Sequence, residues 1–395
     1  MSLAAPDSAP DDIRAQTTTV PQPELARPVR NRAGVYVGAA IGFTVFGLGI
    51  LLLAVYFFSV LGAGAPFIGA ALALVPLAIV LAGVIWVDRW EPEPRIALIF
   101  AFLWGATVSV LTALFVDTGV QTILDARTDD EAVVGFLQAV VQAPIVEEVG
   151  KGIAVLLIAL VARHLIDGPV DGIVYAAVVA AGFAFTENIQ YFGLELSGYY
   201  GEDSNVVFVF FIRGIMSPFA HVLFTACAGY AIGKAIRSGS KIVAVVAFLI
   251  GLVPAILLHA FWNGSTYFID FFTVYLLVQV PLFAASIGLV VYLQRQEMMI
   301  TRDRLSEYAA AGWLSPDEIP HLATFTGRRQ AMSWAKQHGI GDEMKRYIRD
   351  ATQLAYARQR MITGQDLAGN RADEADLLAR ISVSRRLVAA ARPTP

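Results

Sequence analysis

The chain has 395 residues, of which 56% are hydrophobic and 16% are charged, and its mean hydropathy is +0.61. A soluble chain of average composition carries about 25% charged residues, whereas the charge deficit here falls in long apolar runs. These values favour an integral membrane protein in a lipid bilayer, and a net charge of -4 argues against a basic surface for nucleic acid.

The chain begins with a polar segment, residues 1–32, that is rich in proline and alanine and has no apolar core. This composition is typical of a disordered tail, not of a signal peptide or a globular domain. We therefore predict a disordered cytoplasmic N-terminal tail over residues 1–32.

Eight apolar segments follow, and each is long enough for a membrane-spanning helix, which takes roughly 20 mostly apolar residues. Lys and Arg concentrate in alternate loops, as expected of cytoplasmic loops. The sequence therefore predicts an all-α, polytopic transmembrane helix bundle over residues 33–294, a multi-pass protein with both termini in the cytoplasm. The predicted spans are about 35–61, 66–87, 96–117, 133–162, 170–194, 205–234, 242–263 and 269–293.

The last segment, residues 295–395, mixes charges with spaced apolar residues. The stretches 344–358 and 374–380 have the spacing of amphipathic helices. Ser315 followed by Pro316 has the pattern of a helix start. We predict a small helical cytoplasmic C-terminal domain that has no catalytic motif of its own.

Ionisable residues inside the predicted spans are few, and such residues are functional candidates because they are costly in a bilayer. Counted from the cytoplasmic end of each span at 1.5 Å per residue, four of them lie between about 20 and 27 Å deep. Four successive antiparallel helices thus bring polar groups to one layer, which indicates a shared, water-accessible site. The candidates are Glu147, Glu148 and Lys151 in span four, Glu187 in span five, His221 in span six and His259 in span seven.

Two histidines and several carboxylates on separate helices are the ligand types of a zinc site. In this interpretation His221, His259 and either Glu187 or Glu148 hold the metal. Glu147 takes a proton from the metal-bound water. The sequence has no His-Glu-x-x-His motif, and its single cysteine excludes a cysteine-rich cluster.

A mechanism without metal uses the same residues. Glu147 then acts on water directly, and a histidine shares its proton. His259 and Asn263 are four residues apart, on one face of a helix, and could donate hydrogen bonds to the oxyanion. Spacing alone leaves both mechanisms open.

Three polar neighbours are expected to support the site. Lys151 positions or neutralises the glutamate pair from one helical turn away. Asn188 and Tyr191 flank Glu187 and either orient it or join helices. Arg213, near the outer end of span six, is expected to snorkel or to pair with Glu195 or Glu202.

Prolines precede three of the candidate residues by three to five positions: Pro144, Pro218 and Pro254. An interior proline removes a backbone hydrogen bond and kinks the helix. We expect these prolines to open a wet cavity, or to have no role beyond that of any membrane-helix proline.

The order of these motifs resembles the PrsW family of intramembrane proteases, which are distant relatives of the CAAX-prenyl endopeptidases and bacteriocin-processing enzymes. The resemblance covers roughly residues 35–294 and includes the acidic, proline-rich segment 88–94. The motifs are Glu147-Glu148-x-x-Lys151, Phe185-x-Glu187-Asn188-x-x-Tyr191, His221 and His259-x-x-x-Asn263.

This resemblance implies a protease that cuts membrane-anchored proteins, with anti-sigma factors as the best-known substrates. It makes Glu147 and Glu148 the catalytic pair and makes Glu187, His221 and His259 partners in catalysis or metal binding. The ligand types indicate zinc as the metal, and the alternative is a site without metal. The prenyl proteases have a histidine where this chain has Glu187, so prenyl-protein processing is the lesser expectation.

Two other function classes fit the same polar layer. A transporter or a proton or cation relay uses intramembrane carboxylates and histidines, although the sequence shows no inverted repeat. A non-catalytic membrane scaffold would not need an intact set of catalytic residue types. The sequence specifies neither the substrate nor the oligomeric state.

Overall fold

The computed structural model describes residues 32–268, 270–364 and 367–391, and within these ranges all regular structure is helical. The predicted N-terminal tail lies outside the described residues, apart from Arg32. The chain divides between Val45 and Phe46 into two compact units, and every candidate site residue belongs to the second. The prediction of an all-α fold is confirmed.

Eight long helices form the membrane part of the described chain. Helices α3, α4, α6 and α8 each contain a short π-helical stretch, and α6 is also interrupted by a turn before Ala220. Their bounds are α1 Arg32–Leu61, α2 Ala65–Val87, α3 Arg95–Asp125, α4 131–161, α5 Pro169–Leu196, α6 Val206–Ala235, α7 Lys241–Phe268 and α8 Phe271–Ala310.

Within the described residues, seven of these helices are long and apolar enough to cross a membrane, and α4 is the exception. Helix α4 has 31 residues but carries Glu147, Glu148 and Lys151 close together. All three side chains are buried by neighbouring helices and not presented to lipid. The chain is thus a multi-pass integral membrane protein, while the crossing by α4 stays a prediction.

Helix α5 is the central helix, since 78% of its most apolar 18 residues are buried inside the protein. It packs against α2, α3, α4 and α6. Two of these contacts are so close that only glycine fits. A Cβ at Gly172 of α5 would lie 2.1 Å from the carbonyl oxygen of Gly229 in α6, and one at Gly105 of α3 would lie 1.9 Å from that of Val179.

We expect Gly172→Ala to destabilise the protein by about 1–3 kcal/mol, because the added methyl group overpacks the contact between α5 and α6. The measurement is the thermal unfolding temperature in detergent. Gly288→Ala in α8 is the matched control, because its added Cβ would have no described atom within 4 Å apart from its chain neighbours and the backbone of its own helix. Equal unfolding temperatures for the two variants would contradict the close crossing.

Three π-helical stretches end just before a proline. The stretches 137–142, 211–216 and 275–279 are followed by Pro144, Pro218 and Pro281. A proline lacks the N–H group that continues the α-helical ladder, and the wider π turn precedes that gap. The α-helix is therefore interrupted before Pro144 and Pro218, as expected of an interior proline. By contrast, α7 continues as a regular α-helix through Pro254.

The C-terminal part has its own hydrophobic core, in which Leu305 and Leu354 are completely buried. Helix α8 runs without a break across the predicted domain boundary at residue 294, so the division into domains stays a prediction. Arg360 makes two 2.8 Å hydrogen bonds to the carboxylate of Asp167, in the loop before α5. The shorter described helices of this part are α9 Ile319–Leu322, α10 Phe325–Gln337, α11 Gly341–Ile362 and α12 Leu367–Ala390.

The acidic loop 88–94 is fixed to α5 by Glu93. Tyr175 of α5 donates a 2.6 Å hydrogen bond to Glu93 Oε2, and the backbone N–H of Glu93 donates to Asp88. Burial, with the nearby charge of Asp171 next in importance, raises the pKa of Glu93 to about 10. Glu93 is therefore protonated at neutral pH.

This raised pKa predicts a pH-dependent stability. The folded chain holds a proton on Glu93 that the unfolded chain releases near pH 4, so the free energy of unfolding falls as the pH rises from about 4 towards 10. We expect Glu93→Gln to flatten the dependence of the unfolding temperature between about pH 5 and 9. The same slope in the variant and in wild type would assign the dependence to other groups.

Candidate active site

Glu148 is completely buried and receives three polar contacts from three helices. Lys151 Nζ, also completely buried, lies 2.6 Å from Oε1. Thr225 Oγ1 of α6 donates to Oε2 at 2.8 Å, and His259 Nδ1 of α7 lies 3.0 Å from Oε1. Because a carboxylate only accepts, Nδ1 of His259 carries the proton. The other ring nitrogen, Nε2, is then free of hydrogen in a neutral histidine.

His221 is oriented in a similar way by Glu187. Its Nε2 lies 2.9 Å from Glu187 Oε2, and its Nδ1 lies 3.1 Å from Lys151 Nζ. Nε2 therefore donates to the carboxylate, and Nδ1 accepts from the ammonium group. The rings of His221 and His259 are nearly perpendicular, with centroids 5.2 Å apart.

Glu147 turns one oxygen towards both histidines. Its Oε2 is buried and has no hydrogen-bond partner among the described residues. That atom lies 3.6 Å from Lys151 Nζ, 3.8 Å from His259 Nε2 and 4.0 Å from His221 Nδ1. These separations are too long for hydrogen bonds, so a small species between the atoms would be contacted from several sides.

Glu147, His221 and His259 form the group within the described chain that could hold a metal ion, since one ligand atom from each lies within 4.8 Å of the others. The donor types fit zinc, which takes imidazole nitrogen and carboxylate oxygen. Each histidine donates its outer N–H to a carboxylate, the arrangement that orients metal-binding imidazoles. Lys151 contacts His221 Nδ1, so its ammonium group would have to move aside for an ion.

The balance of charges also suits a cation. Three carboxylates, Glu147, Glu148 and Glu187, face two cationic side chains, Lys151 and Arg213, and this leaves one negative charge uncompensated. A buried carboxylate without a counter-charge is unfavourable, and it either takes up a proton or binds a cation. The residues present therefore fit a bound divalent ion.

The predicted partner of Arg213 was wrong, because Arg213 pairs with Glu187 and with neither of the two glutamates predicted from the sequence. Arg213 Nη2 donates to Glu187 Oε2, and Nε donates to Asn188 Oδ1 at 2.9 Å. Its guanidinium carbon lies 3.9 Å from the centre of the Tyr191 ring. Asn188 and Tyr191 thus hold Arg213 in place, and Arg213 in turn contacts Glu187.

Asn263 ties α7 to α4. Its Nδ2 donates a 2.8 Å hydrogen bond to the carbonyl of Ala139, in the π-helical stretch of α4. The predicted contact with an oxyanion stays a prediction. One turn earlier, the ring of His259 stacks on Phe224 at a centroid distance of 4.8 Å.

Two residues of this site were not singled out from the sequence in these roles. Thr225 lies one helical turn after His221 and is completely buried, so its spacing could have indicated it. Arg213 lies inside the π-helical stretch 211–216, where α-helical periodicity does not give the direction of a side chain.

We expect Arg213→Lys to lower kcat/KM by about 10- to 100-fold, the usual effect of replacing a residue that supports the ligands of a metal ion, because Arg213 contacts Glu187 and Glu187 orients His221. A lysine cannot bond Glu187 and Asn188 together in the fixed geometry of a guanidinium group. Arg295→Lys is the matched control, because Arg295 is exposed. Full activity in both variants would contradict a role for Arg213 in orienting Glu187.

Comparison with known proteins identifies the family. The profile described as PrsW family intramembrane metalloprotease matches residues 93–286. Protease PrsW of Clostridioides difficile is 31% identical over 196 residues, which cover 49% of this chain and 76% of that protein. The chain belongs to the PrsW family.

Two further PrsW proteases give the same result. That of Oceanobacillus iheyensis is 29% identical over 40% of this chain and 65% of its own length. That of Geobacillus kaustophilus is 31% identical over 38% of this chain and 58% of its own length. No solved structure matches the chain.

The PrsW match includes every residue of the site described above, from Asn263 back to Glu147, and also Glu93 of the acidic loop. It confirms the family that the sequence motifs resemble, and it makes the chain an intramembrane metalloprotease. The C-terminal helices α9–α12 lie outside the matched residues.

Proposed function

We propose that this PrsW protease hydrolyses a peptide bond in or beside the membrane segment of a membrane-anchored protein, with Glu147 at the reacting water. One observation carries the proposal. Among the described residues, Glu147 Oε2 is buried without a hydrogen-bond partner and faces His259 Nε2 at 3.8 Å and His221 Nδ1 at 4.0 Å. A water molecule or an ion would fit among these atoms.

Glu147, His221 and His259 would hold the metal, and zinc suits this donor set best. When bound, zinc lowers the pKa of a coordinated water to about 7 and polarises a carbonyl group. This set differs from the predicted one, because Glu147 takes the place of Glu187. Glu187 and Glu148 instead fix the histidine rings by accepting from His221 Nε2 and His259 Nδ1.

Glu147 is also the carboxylate best placed to move protons. The oxygens of Glu148 are engaged by Lys151, Thr225 and His259. In a reaction without a bound metal, Glu147 would therefore accept a proton from the attacking water and return it to the leaving amine. Lys151 supplies a positive charge beside that carboxylate, and Asn263 donates to the oxyanion in this proposal.

A regulator with one membrane span, such as an anti-sigma factor, is the proposed substrate class, and the resemblance to the PrsW family supports it. The distribution of Lys and Arg supports eight spans, with α4 among them and both termini in the cytoplasm. The helical segment after residue 294 is then a cytoplasmic C-terminal domain.

Reconstitution into liposomes tests the function. The purified chain is incubated with a panel of single-span reporter proteins, and fragments are identified by mass spectrometry. We expect a cut in or beside the membrane segment that Glu147→Gln abolishes. Ion flux without cleavage would support a transporter instead, and reporter binding that survives Glu147→Gln, with no cleavage by wild type, would support a scaffold.

A further inference from the structure

Gln279 is a buried amide in α8 with no partner in the described part of the chain. Its side chain is 2% exposed, and neither Nε2 nor Oε1 makes a hydrogen bond there. Burying an amide without partners is unfavourable in a low-dielectric interior. A buried amide without a hydrogen-bond partner in its own chain indicates that a bound molecule supplies the partner.

The residue one turn before Gln279 contacts the helix that carries His221. Tyr275 donates a 2.8 Å hydrogen bond to the carbonyl of Met216, at the break in α6 five residues before His221. Tyr275 and Gln279 are the first and last residues of a π-helical stretch, whose i→i+5 hydrogen bonds place slightly more than four residues in each turn, so the two side chains lie on nearly the same side of α8. The side of α8 that carries Gln279 therefore faces the break in α6, just before the part of that helix that carries His221.

The residue one turn after Gln279 leads to the other histidine. Phe283 packs on Trp262 of α7, and Trp262 packs on Phe224, each pair with ring centroids 6.1 Å apart. Phe224 in turn stacks on His259. Gln279 thus lies between Tyr275 and Phe283 on α8. Tyr275 contacts the helix of His221, and Phe283 is connected to His259 through a row of packed aromatic rings.

Phe283 also lines a large, mostly apolar cavity of about 1090 Å³ that is bounded by α2, α5, α6, α7 and α8. A cylinder with the roughly 10 Å diameter of an α-helix and this volume is about 14 Å long, which corresponds to about nine residues. The cavity therefore has room for part of a transmembrane helix beside Phe283, one turn along α8 from Gln279, which does not itself line the cavity.

We propose that Gln279 binds the backbone of the substrate where its transmembrane helix is opened for cleavage, and this inference rests on the proposed proteolytic function. Hydrolysis of a peptide bond within a helix requires local unwinding, which leaves N–H and C=O groups unpaired where water is scarce. A primary amide carries a donor and an acceptor side by side. Gln279 can therefore pair with one peptide group, while the part of the substrate that stays helical occupies the apolar cavity.

Gln279→Leu separates this role from a structural one. We expect kcat/KM for a cleaved reporter to fall at least about tenfold, because the substrate backbone loses its partner. The unfolding temperature should stay equal or rise, because leucine removes the unpaired amide. Gln279→Asn should recover part of the activity, and Leu277→Ala, on the exposed face of the same helix, should leave it unchanged.

Disulfide cross-linking gives a second readout that does not need turnover. In a Glu147→Gln, Cys227→Ala background, which has no native thiol, Gln279→Cys should cross-link to cysteines placed next to the cleavage site of the reporter. Leu277→Cys should not.

Different results would overturn the role of Gln279 and the proteolytic function on which it rests. Normal cleavage by Gln279→Leu, together with no cross-link, would overturn the role of Gln279 and leave the proteolytic function intact. A lower unfolding temperature together with lower activity in both Gln279 variants would make Gln279 a structural residue and overturn its role. Absence of cleavage by wild type would overturn both proposals.

Discussion

Glutamine in place of Glu147 is expected to lower kcat/KM for a cleaved membrane reporter by about a thousandfold, which corresponds to about 4 kcal/mol of transition-state stabilisation. The amide can neither take a proton from water nor bind an ion as a carboxylate does. The unfolding temperature should hardly change, because Glu147 Oε2 makes no hydrogen bond to the described chain. Loss of activity without loss of stability is what distinguishes a reacting group from a structural one.

The assay compares initial rates of fragment formation in liposomes at equal protein amounts. Glu131→Gln is the matched control, because Glu131 is an exposed glutamate at the start of the same helix. It should retain full activity. Substantial cleavage by Glu147→Gln would show that another group acts on the water.

Methionine in place of Lys151 is expected to destabilise the protein by about 3–5 kcal/mol, the usual cost of removing one partner of a buried ion pair. Lys151 Nζ lies 2.6 Å from Glu148, and both side chains are completely buried. The variant would leave the charge of Glu148 supported only by hydrogen bonds from Thr225 and His259. A lower unfolding temperature in detergent is the expected result.

The double variant Lys151→Met, Glu148→Met tests the reason for this loss. It removes both charges, so it should be more stable than Lys151→Met alone, because no uncompensated charge stays buried. An unfolding temperature of Lys151→Met equal to that of wild type would show that the pair contributes nothing to stability. A double variant less stable than the single one would assign the effect to packing.

The depth of the site could be predicted from the sequence because the rise of a helix per residue is nearly constant. Residue counts from the charged ends of the spans placed Glu147, Glu187, His221 and His259 in one layer, and the distances show that they meet. The same counts carry no information on the rotation of each helix. The sequence therefore did not show that Glu147, and not Glu187, faces both imidazoles.

Helix rotation also explains two other features that the sequence did not indicate, the contacts of Arg213 and the burial of Gln279. Arg213 and Gln279 both lie in π-helical stretches, at 211–216 and 275–279. One extra residue per turn there changes the direction of the side chains that follow, and the sequence marks the change only by a nearby proline. All eight helices were predicted from their apolar composition, and in the described chain the charges of Glu147, Glu148 and Lys151 keep α4 outside the seven that are apolar enough to cross a membrane.

The metal content of the purified protein tests the site most directly. Elemental analysis would compare wild type with Glu147→Ala, His221→Ala, His259→Ala and the control Glu131→Gln. We expect about one zinc ion per chain in wild type and in the control, as in catalytic sites with three protein ligands, and little metal in the other three variants. A wild-type protein that cleaves reporters without any bound metal, or full zinc retention by all three variants, would contradict a metal site formed by Glu147, His221 and His259.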